Sequence, residues 1–233
     1  MQFRFPRSTY KLPLFHNATV ESNAAMDVRT AIRTGNVEEL RRILLADPSQ
    51  ANALVCYGDN SQKPTHHPLH YISDMVFSNV LPKGKELPIV EALLEAGSNV
   101  NFGQDDRRET NLIGAASLGA EDVGIRLLDA GAQPHLRGLG GETALHWAAL
   151  LGELRLAERL IDGADLELED DQYHSTPLGW ALHGFCNPPA GNHGHQREIA
   201  ALLVAHGAKV RTDWLDEVGA DAEMLSILQS KKP

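Results

Sequence analysis

The amino-acid sequence predicts an all-α solenoid of stacked helix-turn-helix units, and three observations support this fold class. A short motif that begins at Thr110 recurs at Thr143 and Thr176, at a constant spacing of 33 residues. Each copy starts with a residue that favours a helix N-cap. Each is followed by a leucine-rich segment that ends near a glycine. A fixed period of roughly 20–50 residues is typical of repeat architectures, in which each unit buries its apolar face against its neighbours.

The first helix of each unit is predicted from the motif itself. Threonine at the N-cap satisfies an amide of the first turn, and Pro177 at the first helical position presets φ. Paired alanines let a short helix lie close to its neighbour, and Gly119 and Gly152 supply the turn that follows. A related start has His67 in place of threonine, 43 residues before Thr110, which indicates an insertion of ten residues in that unit.

The second helix of each unit is predicted from a pair of adjacent large aliphatic residues. Val123, Leu127 and Leu128 fall at positions i, i+4 and i+5, which form one apolar stripe on a helix. A single helix pair cannot bury this stripe, whereas stacked pairs can. The segments run into glycine stops at Gly97, Gly131, Gly163 and Gly207.

On these motifs the sequence resembles the ankyrin-repeat family. The resemblance covers four repeats between about residues 67 and 210, and residues 26–48 look like a degenerate first repeat. It implies an ankyrin-repeat solenoid with β-hairpin or loop fingers, about five repeats and a C-terminal capping helix, a half-repeat over residues 218–228. The implied boundaries are an N-terminal extension 1–25, a repeat domain 26–217 with repeats near 26–58, 67–109, 110–142, 143–175 and 176–212, and a capping helix and tail 218–233.

The position after the motif's fourth residue faces the concave groove in this resemblance. We predict that its aromatic side chains are exposed and anchor a partner, because such residues bury a large area at low entropic cost. The alternative is that Trp147 and Trp180 pack on adjacent repeats or inserted loops as peripheral core. The position holds Tyr71, Gly114, Trp147 and Trp180, and the position three residues further on holds Asp74, Ser117, Leu150 and His183.

The fingers between repeats are a second predicted binding surface, since loops on a rigid scaffold commonly carry recognition. Residues 121–180 contain twelve acidic and four basic residues, a local charge of −8. This charge favours a basic partner, and the alternative is an ordinary solvated face. The finger residues predicted to contact a partner are Arg107, Arg108, Arg137, Tyr173 and His174.

Two insertions, within residues 76–87 and 185–195, fall between the two helices of their repeats. Loops this long inside a compact solenoid tend to be functional or disordered. Four donors in the second insertion suit zinc, but their spacing matches no strong motif, and we predict no metal site. A metal- or small-molecule-binding protein organised by this loop is the alternative function. The four donors are His183, Cys186, His193 and His195, whereas cap and turn roles are expected for His66, His67 and His70.

Composition limits the remaining function classes. The chain of 233 residues has 21 basic and 31 acidic residues, a formal charge of −10 that disfavours nucleic-acid binding. Two cysteines are too few for a disulfide framework, and neither a secretory signal nor a membrane-spanning run is visible. We therefore expect a soluble, monomeric, cytoplasmic protein with no membrane partner.

No catalytic motif supports an enzyme. The sequence has neither a nucleophile elbow nor a phosphate-binding loop, so we name no catalytic residue and no cofactor. The predicted function is a non-enzymatic adaptor or scaffold that binds another protein through the groove and the fingers. An ankyrin-like chain delivered into another organism's cells is a third possibility that the sequence does not separate from an adaptor.

Overall fold

The computed structural model describes residues 26–56, 65–103, 109–189, 191–219 and 221–230. The predicted extension 1–25 lies outside the described residues, as do Arg107 and Arg108. The described chain is a stack of α-helices, which confirms the all-α solenoid. Its β-pairing consists of one isolated antiparallel bridge between Val55 and His66, so the described fingers are turns and loops instead of β-hairpins.

The helices follow each other in antiparallel pairs. Helices α1, α3, α5, α7 and α9 form one layer of the stack, and α2, α4, α6, α8 and α10 form the other. A short 3₁₀ turn, Pro48–Ala51, follows α2. The bounds are α1 Val28–Thr34, α2 Val37–Ala46, α3 Pro68–Phe77, α4 Glu86–Glu95, α5 Asn111–Ser117, α6 Glu121–Asp129, α7 Ala144–Leu151, α8 Leu154–Leu160, α9 Pro177–Cys186, α10 Gln196–Ala205, α11 Thr212–Glu217 and α12 Ala222–Gln229.

The predicted N-caps start the first helices of the repeats. The Thr110 hydroxyl accepts a hydrogen bond from the amide of Ile113, and Thr176 does the same for Gly179. His67 takes this role in α3, where its Nδ1 accepts from the Leu69 amide at 3.4 Å. A side chain other than threonine therefore caps α3, at the position that the repeat pattern indicates.

Leucines of both layers build a continuous core along the stack. Leu69, Leu112 and Leu178 of the first helices are buried. Leu127 and Leu156 of the second helices are fully buried as well. Each repeat thus covers the apolar face of the next, which is the arrangement that the leucine pattern predicts.

Ion pairs join neighbouring repeats along the second helices and fingers. Each of the four basic residues between 121 and 180 forms an ion pair with an acidic residue of the neighbouring repeat. Several of the acidic side chains of this segment are therefore neutralised within the stack. The pairs are Arg126 with Glu91, Arg155 with Glu121 at 2.7 Å and Asp122 at 2.6 Å, Arg159 with Asp129 at 2.6 Å, and Arg137 with Asp171 at 2.8 Å.

Two short helices close the C-terminal end of the stack. Helix α12 lies within the predicted capping segment 218–228 except for its last residue, and α11 precedes it as a helix that the sequence did not predict. Trp214 of α11 is only 2% exposed and covers Gly179, where a Cβ atom would lie 3.0 Å from the indole. Met224 of α12 is buried, and α12 packs on α10. The glycine in the last full repeat gives the indole room to cover the core.

Both insertions lie between the two helices of their repeats, as predicted. The longer α9 is followed by a loop that crosses back over the preceding repeat. The amide of His193 donates to the Leu151 carbonyl at 2.6 Å, and Gln196 Nε2 donates to the Leu150 carbonyl at 2.9 Å. Gly191 reaches Phe77 at the end of α3, so the second insertion approaches the first across two intervening repeats.

Candidate interaction surface

The predicted aromatic column of the groove is largely buried. Tyr71 is 0% exposed and Trp180 is 3% exposed, so the expectation that both are exposed anchors is wrong. Tyr71 lies on α3, which packs against α1 of the degenerate first repeat. Burial raises the pKa of its hydroxyl, while the nearby charges of Arg29 and Arg33 act in the opposite direction. Tyr71 is therefore a core residue.

Trp180 is buried because aromatic residues of the preceding repeat surround it. Its ring makes edge-on contacts with Trp147 at 5.0 Å, His146 at 5.5 Å and Tyr173 at 6.1 Å between centroids. Such tilted arrangements are favourable for aromatic pairs. The peripheral-core alternative is thus correct for Trp180. Trp147 stays half-buried, with its indole N–H directed to the carboxylate of Glu142 at 3.4 Å.

The second predicted column is buried at two of its positions. Asp74 and Leu150 are each 8% exposed, so they do not form an open contact surface, whereas Ser117 and His183 are half-buried. Leu150 is covered because Gly184 brings α9 against α7, and a Cβ atom on Gly184 would overlap the Leu150 carbonyl. Partial burial lowers the pKa of His183.

Asp170 organises the finger before the last full repeat, a role that the sequence analysis missed. It is 1% exposed. Its Oδ1 accepts hydrogen bonds from the amides of Gln172 at 2.9 Å and Tyr173 at 2.6 Å. Its Oδ2 accepts from the Ser175 amide at 3.1 Å and from Trp180 Nε1 at 2.9 Å. One carboxylate therefore fixes both the loop and the buried indole, and its position six residues before the Thr176 cap was the available signal.

Arg137 locks two neighbouring fingers together. Its Nε donates to the Gly141 carbonyl at 2.6 Å, and its Nη2 donates to the Glu169 carbonyl at 3.2 Å and to Asp171 Oδ1 at 2.8 Å. The Asp171 amide also donates to the Gly140 carbonyl at 2.7 Å. The exposed arginine thus positions the fingers, in addition to its predicted role as a partner contact.

An exposed apolar patch lies beside these locked fingers. Leu139, at the tip of the finger before α7, is 68% exposed, while Trp147 and Tyr173 are half-buried and His174 is exposed. The Glu142 carboxylate lies beneath the tip, close to Gly138 and Gly140 on either side of Leu139. It also accepts the hydrogen bond from the Trp147 indole, so it connects the tip with Trp147. We call Leu139, Trp147, Tyr173 and His174 the finger patch.

The second insertion does not assemble its four predicted donors. Among the described residues, no group of three or more metal-ligating side chains includes any of them. His193 lies against Gly119, and His195 pairs with Glu198 at 3.5 Å, because the loop follows the backbone of the preceding repeats. Cys186 is exposed at the end of α9. The cleft beneath this loop has a volume of about 120 Å³, below the roughly 300 Å³ of ordinary ligand pockets.

A different group of donors lies at the start of α3. Donor atoms of His66, His70 and Asp74 all lie within 4.8 Å of one another. Burial, followed by the charges of His66 and His67, lowers the pKa of His70 to about 4. Burial and the neighbouring Glu109 raise the pKa of Asp74 to about 7. Sequence reasoning considered the three histidines without Asp74, although Asp74 follows His70 by one helical turn.

Comparisons with known proteins identify the family. A model of ankyrin repeats, in three copies, matches residues 75–170 and 112–214, which together cover more than half of the chain. The chain belongs to the ankyrin-repeat family, whose domains generally mediate binding to other proteins and are generally non-catalytic. Among the described residues, none of the helices has the length and apolar character needed to cross a membrane.

Two curated relatives share parts of the repeat region. The chain is 36% identical over 74 residues to the human 2-5A-dependent ribonuclease, covering 32% of this chain and 10% of the relative. It is 40% identical over 94 residues to an ankyrin repeat-containing protein of Treponema pallidum (strain Nichols), covering 40% of this chain and 30% of the relative. The chain therefore spans less than a third of either relative.

Proposed function

We propose that this protein is a non-enzymatic adaptor that binds another protein through the finger patch. The observation that carries the proposal is an exposed leucine and a half-buried tyrosine on fingers that hydrogen bonds hold in place, with the half-buried Trp147 of α7 close by. Such a patch offers apolar area to a partner and loses little conformational entropy on binding, because its backbone is already held by hydrogen bonds. The buried Trp180 supports the patch from the core through its ring contacts with Trp147 and Tyr173.

Carboxylates at the edge of the patch favour a partner that carries basic groups. Asp171 is exposed and pairs with Arg137, Glu169 is exposed two residues before it on the same finger, and the buried Glu142 lies under Leu139. Their charge steers a basic surface during encounter and fixes its orientation. The formal charge of −10 opposes nucleic acid as the ligand.

The remaining parts of the proposal concern the whole protein. We propose that it lacks catalysis of its own, since the segment shared with the human ribonuclease covers only 10% of that enzyme. We also propose a monomer in the cytoplasm, supported by the pair of helices that closes the C-terminal end and by the small number of cysteines.

Affinity capture from a native lysate tests the patch. We expect wild-type protein to retain a partner that the Leu139→Asp, Trp147→Ala double variant does not retain. Leu45→Asp is the matched control, because Leu45 is 87% exposed but lies on α2 at the far end of the stack. Retention of the same proteins by all three would overturn the proposed patch. Trp180 is unsuitable for this test, since its replacement disturbs the core.

A further inference from the structure

Three potential metal ligands lie close together on α3 and just before it: His66, His70 and Asp74. His70 and Asp74 are four residues apart and therefore share one face of α3. His66 directly precedes His67, the N-cap of this helix. His66 Nε2 lies 3.8 Å from Asp74 Oδ2. All three donor atoms lie within 4.8 Å of one another, so a small rearrangement would bring them onto a single ion.

Asp74 offers a buried oxygen atom that the protein leaves without a hydrogen bond. Asp74 is 8% exposed, and its Oδ2 accepts no hydrogen bond in the described part of the chain. Buried polar atoms normally have a partner, and an unmatched carboxylate oxygen often marks an absent ion or water. Here the unmatched oxygen is the atom that faces His66.

Gly114 of the next repeat makes room for the second histidine. A Cβ atom on Gly114 would overlap the His70 imidazole. The same repeat position holds Trp147 and Trp180 further along the stack. The helix therefore accepts a large side chain at this position, and it is the His70 ring that leaves no room for one at Gly114. The glycine therefore keeps the imidazole beside Asp74 and His66.

We propose that His66, His70 and Asp74 bind one divalent transition-metal ion of the zinc type, with water as the remaining ligand. Imidazole nitrogen and carboxylate oxygen both bind Zn²⁺ at about 2.0–2.2 Å, and three protein ligands plus water is an established coordination. Two ligands of a tetrahedral ion are about 3.3 Å apart with such bonds. The 3.8 Å separation of His66 from Asp74 therefore needs only a small contraction on binding.

The outer contacts suit this arrangement. Thr65 Oγ1 lies 2.9 Å from His66 Nδ1. When Nδ1 carries the proton and donates it to Thr65, the lone pair of Nε2 points toward Asp74, and metal-ligating histidines are commonly oriented in this way. The His66 side chain is 28% exposed, which gives the ion a route from solvent.

The ion would join segments that are separate in the sequence. His66 pairs with Val55 of the degenerate first repeat through the isolated bridge, whereas His70 and Asp74 belong to α3. Bound metal would therefore fasten the Val55–His66 bridge, and with it the end of the first repeat, to α3. Because a preformed site exists only in the folded chain, the ion stabilises the folded state.

Metal titration of the full, untagged and chelator-treated chain tests the site. We expect one equivalent of Zn²⁺ to bind and raise the melting temperature, and Co²⁺ to give the visible absorption of a four-coordinate ion. His66→Gln and Asp74→Asn should each weaken binding at least about tenfold. His195→Gln is the matched control, because His195 also lies beside a carboxylate, that of Glu198 at 3.5 Å, and should bind as wild type.

The contrary results are equally definite. Wild-type protein that takes up less than about a tenth of an equivalent of Zn²⁺ overturns the proposal. So does unchanged binding in both ligand variants, or an equal loss in His195→Gln. Circular dichroism checks that each variant is folded. Should either variant fail to fold, the Co²⁺ spectrum of the wild-type protein decides, and an unchanged aqua-ion spectrum overturns the site.

Discussion

Asp74 and Asp170 are buried carboxylates near opposite ends of the repeat stack, and their surroundings differ in one respect. Asp170 accepts four hydrogen bonds, from three backbone amides and one indole. Asp74 Oδ2 accepts none in the described residues and faces two imidazoles. The first acid is a complete structural element, whereas the second has the composition of an incomplete ligand site.

The same contrast holds for the groove positions around these acids. In repeats four and five the column is filled by Trp147 and Trp180, which cover each other. In repeat three it is Gly114, which leaves space for His70. One repeat position thus supports aromatic packing at one end and a polar cluster at the other, because its content depends on the neighbouring repeat.

The largest effect should come from the aromatic end. Trp180→Ala removes a buried indole and the donor to Asp170, so we expect a loss of about 3–5 kcal/mol in the free energy of unfolding. Trp147→Ala should cost about half as much or less, because Trp147 is half-buried. Urea unfolding followed by circular dichroism measures both. Equal losses would show that the two indoles share one environment, contrary to the structure.

Replacing Gly184 and replacing Gly114 should both cause steric clashes, but only the clash at Gly114 is with a side chain that can be removed. Gly184→Ala places a Cβ atom against the Leu150 backbone, and we expect a loss of about 3 kcal/mol. Gly114→Ala places it against the His70 side chain, with a loss of about 2 kcal/mol.

A double-mutant cycle separates the two clashes. Adding His70→Ala should recover part of the Gly114→Ala loss, since the obstructing ring is gone. Adding Leu150→Ala should recover nothing for Gly184→Ala, because the backbone carbonyl remains. Additive behaviour in the Gly114 cycle would contradict the close contact with His70.

The two acids should respond differently to amide replacement. Asp170→Asn places an NH₂ group, itself a donor, opposite the N–H groups that Asp170 now accepts from. We expect a loss of about 2 kcal/mol in the free energy of unfolding. Asp74→Asn in metal-free protein should change the free energy of unfolding by less than about 1 kcal/mol, since it breaks no hydrogen bond at Oδ2. Chemical denaturation in the presence of a chelator makes the measurement. A larger loss for Asp74→Asn than for Asp170→Asn would reverse the comparison.

A third buried acid, Glu153 at the N-cap of α8, should make the stability of the protein depend on pH. It is 0% exposed and neither carboxylate oxygen accepts a hydrogen bond in the described residues. Burial, with Glu121 nearby, raises its pKa well above 4.5 in the folded protein. The folded state then holds the proton more tightly than the unfolded chain, so stability falls as pH rises from the unfolded pKa through the folded pKa.

Glu153→Gln should remove this contribution. We expect the variant to gain stability relative to wild type as pH rises from about 5 to about 8. Melting temperatures across that range provide the measurement. Glu158→Gln, on the exposed face of the same helix, controls for the loss of one negative charge. Parallel pH profiles for wild type and Glu153→Gln would contradict the assignment.

Much of the scaffold could be read from local signals. The threonine caps, the leucine stripes and the 33-residue period act within one unit or between identical neighbours, so they predicted the helices from α3 to α10. The closing helix pair was harder to predict because it lacks the repeat motif. Its position depends on the contact of Trp214 with Gly179, two residues that are 35 positions apart in the sequence.

The candidate surfaces were less predictable, because exposure depends on what the neighbouring repeat contributes. The column rule found Trp147 but also selected Tyr71, Asp74, Leu150 and Trp180, which adjacent helices bury. The four donors of the second insertion are close in sequence, yet the loop's backbone contacts hold them apart.

The repeat class, the helix starts and the places of the two insertions followed from the order of the residues, since capping and apolar periodicity are local properties. Which side chains remain exposed, and which donors lie together, depends on the packing of one repeat against another. His66, His70 and Asp74 meet because the bridge to Val55 holds His66 beside α3 and Gly114 of the next repeat leaves space for His70. Such contacts join separate repeats, and a pattern within one repeat carries no information about them.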